Sequence, residues 1–391
     1  MRALHRLIAL MLLIGYGSAC RFGRLEPAPP QEATVSAGVG ATRMAHLSRG
    51  LNVAQWFNAW GGEKPWLRYD LSDDDLAAIR RLGFTAVRLI LDPRGFRNPV
   101  EPSLLDKQAL GYLDRALNRL LAHDLAVILT PYSHGKYFIS DSASAAAFAR
   151  FWEALAHHVR RFDADRVFLE VANEPPLTPE AWEPLQREIL AAMRRGAPRH
   201  TLIASGASWS TIAGLVAIRP VPDSNVVYTF HVYEPRVFTH QGVPWGPEKP
   251  LAGLLPYPSD STVCKPALGE VTDSIPLTDA RDYCAGRWDA GVLAGLLDRA
   301  VRWRQMHGVP LFAGELGAYC AAPTPDRLRW FRDVRRGLEQ RQIGWALWEW
   351  EGCFGLHARH SDAGRLVLDT AVASALGLDL SDKPGGAVTQ H

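Results

Sequence analysis

Short apolar runs alternate with longer amphipathic stretches eight times along this chain, and this alternation restricts its possible folds more than any other feature. The short runs are apolar throughout rather than at every second position, which is typical of parallel strands buried on both faces. The predicted strands cover residues 50–53, 85–91, 125–130, 167–171, 202–205, 226–232, 310–314 and 343–347.

The stretches between these runs place apolar residues at helical spacing. Ser72 precedes the first stretch as an N-cap, because its hydroxyl can accept a hydrogen bond from the first turn of a helix. The predicted helices cover residues 73–82, 106–123, 144–162, 179–195, 289–307 and 325–340.

Eight strands alternating with helices predict an α/β fold, a single (β/α)8 TIM barrel over residues 47–380, followed by a C-terminal tail over 381–391. A doubly wound open sheet is the alternative, but no glycine-rich GxGxxG turn follows the first strand. Residues 234–287 follow strand six and are expected to form a long inserted loop whose prolines and aromatic residues shape a cleft.

The composition excludes two classes of protein. With 47% hydrophobic residues and 13 Trp, the chain is too apolar and too aromatic to be disordered. Its 43 basic and 41 acidic side chains give a formal charge of +2, and no long run of Lys or Arg is present to follow a phosphate backbone. We therefore expect no nucleic-acid partner, and we expect a monomer.

Residues 1–19 have the sequence pattern of an export signal. A charged start with Arg2 is followed by an apolar stretch over residues 7–14, which is too short to span a bilayer, and by small residues at 17–19. Ala19 followed by Cys20 fits both a bacterial lipoprotein, in which Cys20 is acylated, and plain cleavage after Ala19. Residues 20–46 are rich in Pro and Ala and are expected to form a flexible linker. The protein is thus expected to be exported, as a periplasmic, secreted or lipid-anchored form.

Four cysteines follow Cys20 in the mature chain, and none has a metal-binding spacing. An even number in an oxidising compartment favours disulfides over buried thiols. Of the three possible pairings, the local one is expected, since Cys264 and Cys284 lie in the same insertion while Cys320 and Cys353 each follow a predicted strand.

Two carboxylates are predicted at the mouth of the barrel, because side chains that react with substrate lie at the C-terminal ends of the strands in this fold. Predicted strand four ends in Asn173-Glu174-Pro175, and strand seven ends at Glu315. Cleavage of a glycosidic bond requires two such groups, one neutral to protonate the leaving oxygen and one ionised to attack the sugar carbon. No metal-ligand cluster, phosphate loop or Ser nucleophile elbow offers a competing chemistry, so no cofactor and no metal are expected.

The sequence resembles glycoside hydrolase family 5, in the cellulase superfamily. The resemblance lies in Asn173-Glu174-Pro175 after strand four and in Glu315 at the end of strand seven. The matching segments extend from about residue 48 to residue 350. Further positions that match the active-site set of this family are Arg88 on strand two, His134 after strand three, His231 and Tyr233 on strand six, and Trp348 at the end of strand eight. The resemblance implies a retaining endo-β-1,4-glucanase.

The resemblance also implies roles for the two carboxylates. Glu174 would be the acid/base and Glu315 the nucleophile, and retention of configuration would place their carboxyl groups about 5 to 5.5 Å apart. Arg88 and the hydroxyl of Tyr233 would favour the ionised form of Glu315.

Further residues would contact the sugar or assist the acid. Asn173 would bind the 2-hydroxyl, Trp348 would stack on the sugar ring, and His231 would adjust proton exchange at Glu174. Other aromatic residues that are candidates for stacking on pyranose rings are Trp56, Phe57, Trp60 and Trp66 after strand one, Trp209 after strand five, and Trp245 and Tyr257 in the insertion.

Two alternatives to a β-1,4-glucanase stay open at this stage. The first keeps the chemistry and changes the β-linked substrate to a β-mannan, a β-1,3-glucan or an exopolysaccharide of the producing cell. The second is a glycan-binding lipoprotein on an inactive barrel, against which the presence of both Glu174 and Glu315 argues.

Overall fold

The structure is a computed structural model that describes residues 38–58, 69–96, 104–132, 142–269, 271, 274–362 and 365–381. The expected signal peptide over 1–19, Cys20, most of the expected linker and nearly all of the tail lie outside the described residues.

Eight parallel strands close into a barrel in the order in which they occur along the chain, and β8 pairs with β1. The strands are β1 (Arg49–Phe57), β2 (Ala86–Leu91), β3 (Ala126–Pro131), β4 (Val167–Glu170), β5 (Leu202–Ser205), β6 (Val226–Val232), β7 (Leu311–Leu316) and β8 (Gly344–Leu347). The predicted (β/α)8 barrel is confirmed, and the closed sheet excludes the doubly wound alternative.

Helices connect the strands around the outside of the barrel. They are α1 (Ala41–His46), α2 (Asp73–Arg81), α3 (Lys107–Ala122), α4 (Ser142–Val159), α5 (Pro179–Gly196), α6 (Ala207–Ser210), α7 (Ile212–Val216), α8 (Arg236–Thr239), α9 (Ser261–Leu268), α10 (Ser274–Ala285), α11 (Ala290–His307), α12 (Thr324–Gln340) and α13 (Thr370–Ala375). A two-stranded sheet of β9 (Arg359–His360) and β10 (Leu366–Val367) lies between β8 and α13 in the sequence. Ser72 caps α2 as predicted, since its hydroxyl accepts a hydrogen bond of 3.1 Å from the Asp75 amide.

The segment before β1 closes the N-terminal end of the barrel. Val39 and Leu47 are buried there against the first layer of inward-facing strand residues, such as Ala86, Phe168 and Phe312. The linker expected over residues 20–46 is therefore too long, because ordered structure begins before residue 41 and includes α1.

The insertion over residues 234–287 was expected to be one irregular loop, and this is wrong. It contains α8, α9 and α10, and the Cys264–Cys284 disulfide, with a Cα–Cα distance of 6.0 Å, joins α9 to α10. Both cysteines are buried in the hydrophobic core, so the insertion packs as part of the domain. Within the described residues, no helix has the length and apolar character needed to cross a membrane.

Candidate active site

The two predicted carboxylates face each other at the C-terminal end of the barrel. Glu174 lies in the turn after β4, where its φ of 48° is in the left-handed region that non-glycine residues seldom adopt. Glu315 lies within β7 and is 3% exposed. A carboxylate oxygen of each residue and a ring nitrogen of His231 all lie within 4.8 Å of one another.

Arg88 on β2 is the centre of a buried hydrogen-bond network. Its Nη1 donates to Oε1 of Glu315 at 2.8 Å and to Oδ1 of Asn52 at 2.8 Å. Its Nη2 donates to Oδ1 of Asn173 at 2.9 Å. The same guanidinium binds Glu170 on β4 through two contacts of 2.7 Å. One cation is therefore shared by two carboxylates and holds four side chains in place.

Glu315 accepts a second hydrogen bond, of 2.8 Å, from the Tyr233 hydroxyl to its Oε2. Burial raises the pKa of Glu315 above the ordinary glutamate value, while Arg88 and the Tyr233 hydroxyl act in the opposite direction. The expectation that these two residues favour the ionised form is correct in sign, but burial has the larger effect.

His231 on β6 lies between the two carboxylates. Its Nδ1 is 2.8 Å from Oε1 of Glu174 and 3.5 Å from Oε2 of Glu315. Burial lowers the pKa of His231 to about 4, so the ring is neutral at pH 7. A neutral imidazole can accept a proton from Glu174 or donate a hydrogen bond to it, depending on the tautomer.

Two residues of this network were not among the site residues predicted from the sequence. Asn52 and Glu170 are fully buried polar side chains on β1 and β4. A charged residue within an otherwise apolar buried strand must be paired, and this signal was available for Glu170. Asn52 donates to the backbone oxygens of Gly314 and Leu347, so it joins β1 to β7 and β8 beneath the site.

Two further titratable residues lie near the carboxylates and were also missed. Tyr132 ends the β3 segment, and burial together with the charges of Glu174 and Glu315 raises its pKa. Glu349 follows Trp348 after β8, and burial, then the charges of Glu315 and Glu351, raise its pKa to about 8.

The predicted sugar-stacking residues have different environments. Trp56 is 3% exposed and stacks on Phe57 in the hydrophobic core, so its expected role in sugar binding is wrong. Tyr257 is also buried. Trp348 is half-buried at the end of β8, while Trp209 is 50% exposed. His134, Trp60 and Trp66 lie outside the described residues.

The turn that carries Trp209 is fixed to the loop of Glu174. The amides of Ser208 and Trp209 donate to the carbonyl oxygens of Leu177 and Pro175, each at 2.9 Å. Ser208, Trp209 and Ser210, which make up most of α6, all have positive φ, between 50° and 65°, so α6 is a left-handed turn rather than a regular helix. This strained turn holds an exposed indole beside the acid-bearing loop.

Trp245 in the insertion is 65% exposed and has aromatic neighbours. Its ring centroid lies 6.0 Å from that of Tyr319 and 6.1 Å from that of Phe354. Phe354 in turn contacts Tyr233 edge to face at 6.0 Å. The exposed indole is therefore two ring contacts away from the hydroxyl bound to Glu315.

The distances between Glu174, His231 and Glu315 are short enough for the three side chains to bind one metal cation together. Both oxygens of Glu315 already accept hydrogen bonds, one of them from the positively charged Arg88. Because a guanidinium at 2.8 Å repels a second cation, the arrangement suits proton transfer and nucleophilic attack better than metal binding.

Residues 48–353 match the family model described as Cellulase (glycosyl hydrolase family 5). Endoglucanase 3 of Fibrobacter succinogenes is 24% identical over 349 residues, which are 83% of this chain and 52% of the relative, so the chain spans about half of that protein. Endoglucanase C of Acetivibrio thermocellus is 23% identical over 79% of this chain and 92% of its own length.

The fold is also similar to solved structures. Thermotoga maritima Cel5A in complex with cellobiose superimposes with a TM-score of 0.69 at 24% identity, covering 85% of this chain and 98% of that one. A structure of the same Thermotoga protein in complex with mannotriose gives a TM-score of 0.68 with the same identity and coverage.

Proposed function

From the premise that this chain belongs to glycosyl hydrolase family 5, we propose that it is a retaining endo-β-1,4-glucanase with Glu174 as acid/base and Glu315 as nucleophile. The observation that carries the proposal is the spacing of the two carboxylates, which have oxygens within 4.8 Å of each other. Retaining enzymes hold these groups about 5 to 5.5 Å apart, whereas inverting enzymes leave a gap of about 6.5 to 9.5 Å for a water molecule.

In the first step, Oε of Glu315 attacks the anomeric carbon while Glu174 donates its proton to the glycosidic oxygen. The carbon–oxygen bond to the leaving sugar breaks, and a glycosyl ester with Glu315 forms. Arg88 and the Tyr233 hydroxyl orient the nucleophile, since each binds one of its two oxygens.

In the second step, Glu174 is a carboxylate and takes a proton from water, which attacks the anomeric carbon and releases Glu315. His231 contacts Glu174 at 2.8 Å and is neutral at pH 7. It therefore carries no charge that would favour either the protonated or the ionised form of Glu174. This suits a group that must both donate and accept a proton in each cycle.

The sugar at the cleavage point is expected to bind between Asn173 and Trp348. Arg88 donates to Oδ1 of Asn173, and this orients the amide so that its NH2 group is the donor toward a sugar hydroxyl. Trp348 offers a half-buried ring at the end of β8. His134 is proposed to contact the same sugar.

Trp209 and Trp245 are proposed to stack on sugars farther along the polymer. Both indoles are at least half exposed. The turn of Trp209 is hydrogen-bonded to the loop of Glu174, and the ring of Trp245 contacts Phe354, which packs against Tyr233. Two such platforms favour an extended polysaccharide over a short glycoside. A β-1,4-glucan is supported by the relatives named endoglucanase, and a β-mannan is the second candidate because Thermotoga maritima Cel5A is known in complex with mannotriose.

Export remains part of the proposal. The N-terminal signal pattern and two disulfides that suit an oxidising compartment support it. Acylation of Cys20 and plain cleavage after Ala19 predict different masses for the mature N-terminal peptide, which mass spectrometry distinguishes.

Incubation of the mature protein with β-1,4-glucan, β-1,3-glucan and β-mannan tests the function, with product lengths and anomeric configuration followed by NMR. We expect internal cleavage of β-1,4-glucan and initial release of the β-anomer. Initial release of the α-anomer would overturn the retaining mechanism. Binding without hydrolysis of any of the three would favour the glycan-binding alternative.

A further inference from the structure

The Cys320–Cys353 disulfide joins two loops at the mouth of the barrel. Cys320 lies in the loop after β7 and Cys353 in the loop after β8, with a Cα–Cα distance of 5.0 Å. Tyr319 directly precedes the first cysteine and Phe354 directly follows the second. The disulfide therefore connects the backbones of two aromatic residues whose ring centroids lie 5.2 Å apart.

Phe354 connects this disulfide to the catalytic centre. Its ring is 4% exposed and lies edge to face against Tyr233 at 6.0 Å and against His240 at 4.9 Å. Tyr233 donates the hydrogen bond of 2.8 Å to Glu315. Displacement of Phe354 would thus leave the Tyr233 ring without one of its packing partners.

Noncovalent contacts support the same pair of loops. Arg327 on α12 is buried, and it donates to the carbonyl oxygens of Ala318 in the first loop and of Cys353 and Gly355 in the second. The Ala318 amide donates to the carbonyl oxygen of Phe354 at 3.2 Å. These contacts also join the two loops to each other, so removal of the disulfide is expected to loosen their relative position without unfolding them.

We propose that the Cys320–Cys353 disulfide is a positioning element of the active site, which holds Phe354 against Tyr233 so that the Tyr233 hydroxyl keeps its hydrogen bond to Glu315. The catalytic consequence rests on the proposed function. The Cys264–Cys284 disulfide joins α9 to α10 within the insertion, and neither of its cysteines adjoins Phe354, so we expect no such role for it.

The proposal predicts a change in the pH profile as well as a loss of rate. Among the described residues, the titratable groups that face Glu315 are Arg88 from β2, Tyr132 directly after β3, Glu174 from the β4 loop, His231 from β6, Tyr233 directly after β6, and Glu349 from the β8 loop. The Tyr233 hydrogen bond lowers the pKa of Glu315. A weaker hydrogen bond raises this pKa, and the acidic limb of kcat/KM then moves to higher pH.

The experiment compares the double variants C320A/C353A and C264A/C284A. Each loses one disulfide, so both are expected to unfold at lower temperature than the wild type. For C320A/C353A we expect kcat/KM to fall roughly 10-fold and the acidic limb to move upward, because a hydrogen bond to a charged group is weakened. For C264A/C284A we expect the pH profile of the wild type. An unchanged profile in C320A/C353A, or the same shift in both variants, would overturn the proposal.

Two further measurements keep the proposal testable if the variant folds poorly or if no substrate is cleaved. Phe354→Leu retains the disulfide and an apolar side chain but removes the ring contact, and it should reproduce the shift of the acidic limb.

A crystal structure of C320A/C353A needs no substrate. A distance beyond 3.5 Å between the Tyr233 hydroxyl and Glu315 supports the positioning role, and an unchanged 2.8 Å contradicts it. Absence of hydrolysis by the wild type would instead refute the proposed function.

Discussion

The guanidinium of Arg88 and the carboxylate of Glu170 form a bidentate ion pair inside the barrel, with both contacts at 2.7 Å and both side chains fully buried. The same guanidinium reaches Glu315 at 2.8 Å. Glu170 therefore fixes the orientation of the cation that orients the proposed nucleophile.

Removal of the Glu170 carboxylate should destabilise the protein strongly. Glu170→Ala removes two hydrogen bonds of the buried Arg88 and leaves its Nε without the Glu170 acceptor, and an unsatisfied buried donor typically costs about 1 to 3 kcal/mol, or more when the group is charged. Urea unfolding measures the loss. Glu153→Ala is the matched control, because it removes an exposed ion pair of 2.7 Å with Arg195 and should have a much smaller effect. Equal losses in the two variants would contradict the structural role of Glu170.

Glu349 should make stability depend on pH. Its folded-state pKa of about 8 is raised above the ordinary value, so the neutral form is favoured in the folded protein. The stability that this group contributes is fully present below about pH 4.5 and is lost as the pH rises through 8. We expect Glu349→Gln to match the wild type in free energy of unfolding near pH 4 and to exceed it at pH 9. A constant difference across this range would show that Glu349 does not titrate as described.

Trp245 should affect long substrates more than short ones. Trp245→Ala removes an exposed indole that is two ring contacts from Tyr233, so we expect KM for a β-glucan polymer to rise roughly 2- to 10-fold with little change in kcat. An aryl β-cellobioside should be cleaved as by the wild type. Met306→Ala, at a side chain that is 77% exposed on α11, controls for loss of exposed apolar surface. Equal effects on both substrates would remove Trp245 from the polymer-binding surface.

The fold was predictable because its signal is local. Apolar residues follow different patterns in buried parallel strands and in amphipathic helices, so the sequence of each segment indicates whether it is a strand or a helix. The bounds were less accurate at β1, which was predicted to end at Val53 and continues to Phe57. This one error explains the misassignment of Trp56, since a residue expected in a loop at the cleft lies in a strand and packs in the core.

The network beneath the site was not predictable in the same way. Asn52 and Arg88 lie side by side because β1 and β2 pair in that register, and Glu170 reaches Arg88 across the barrel interior. Neither relationship follows from the sequence of a single strand. Glu349 depends likewise on the path of the chain after β8, which brings it near Glu315.

Chemical rescue by azide tests the assignment of Glu174 and Glu315 most directly. The variants Glu174→Ala and Glu315→Ala are supplied with an aryl β-cellobioside and sodium azide, and the anomeric configuration of the glycosyl azide is read by NMR. Azide should attack the glycosyl ester in Glu174→Ala and give the retained β-azide, and it should replace the missing nucleophile in Glu315→Ala and give the inverted α-azide. The opposite pairing of variant and configuration, or near wild-type turnover by either variant without azide, would contradict the roles assigned to these two residues.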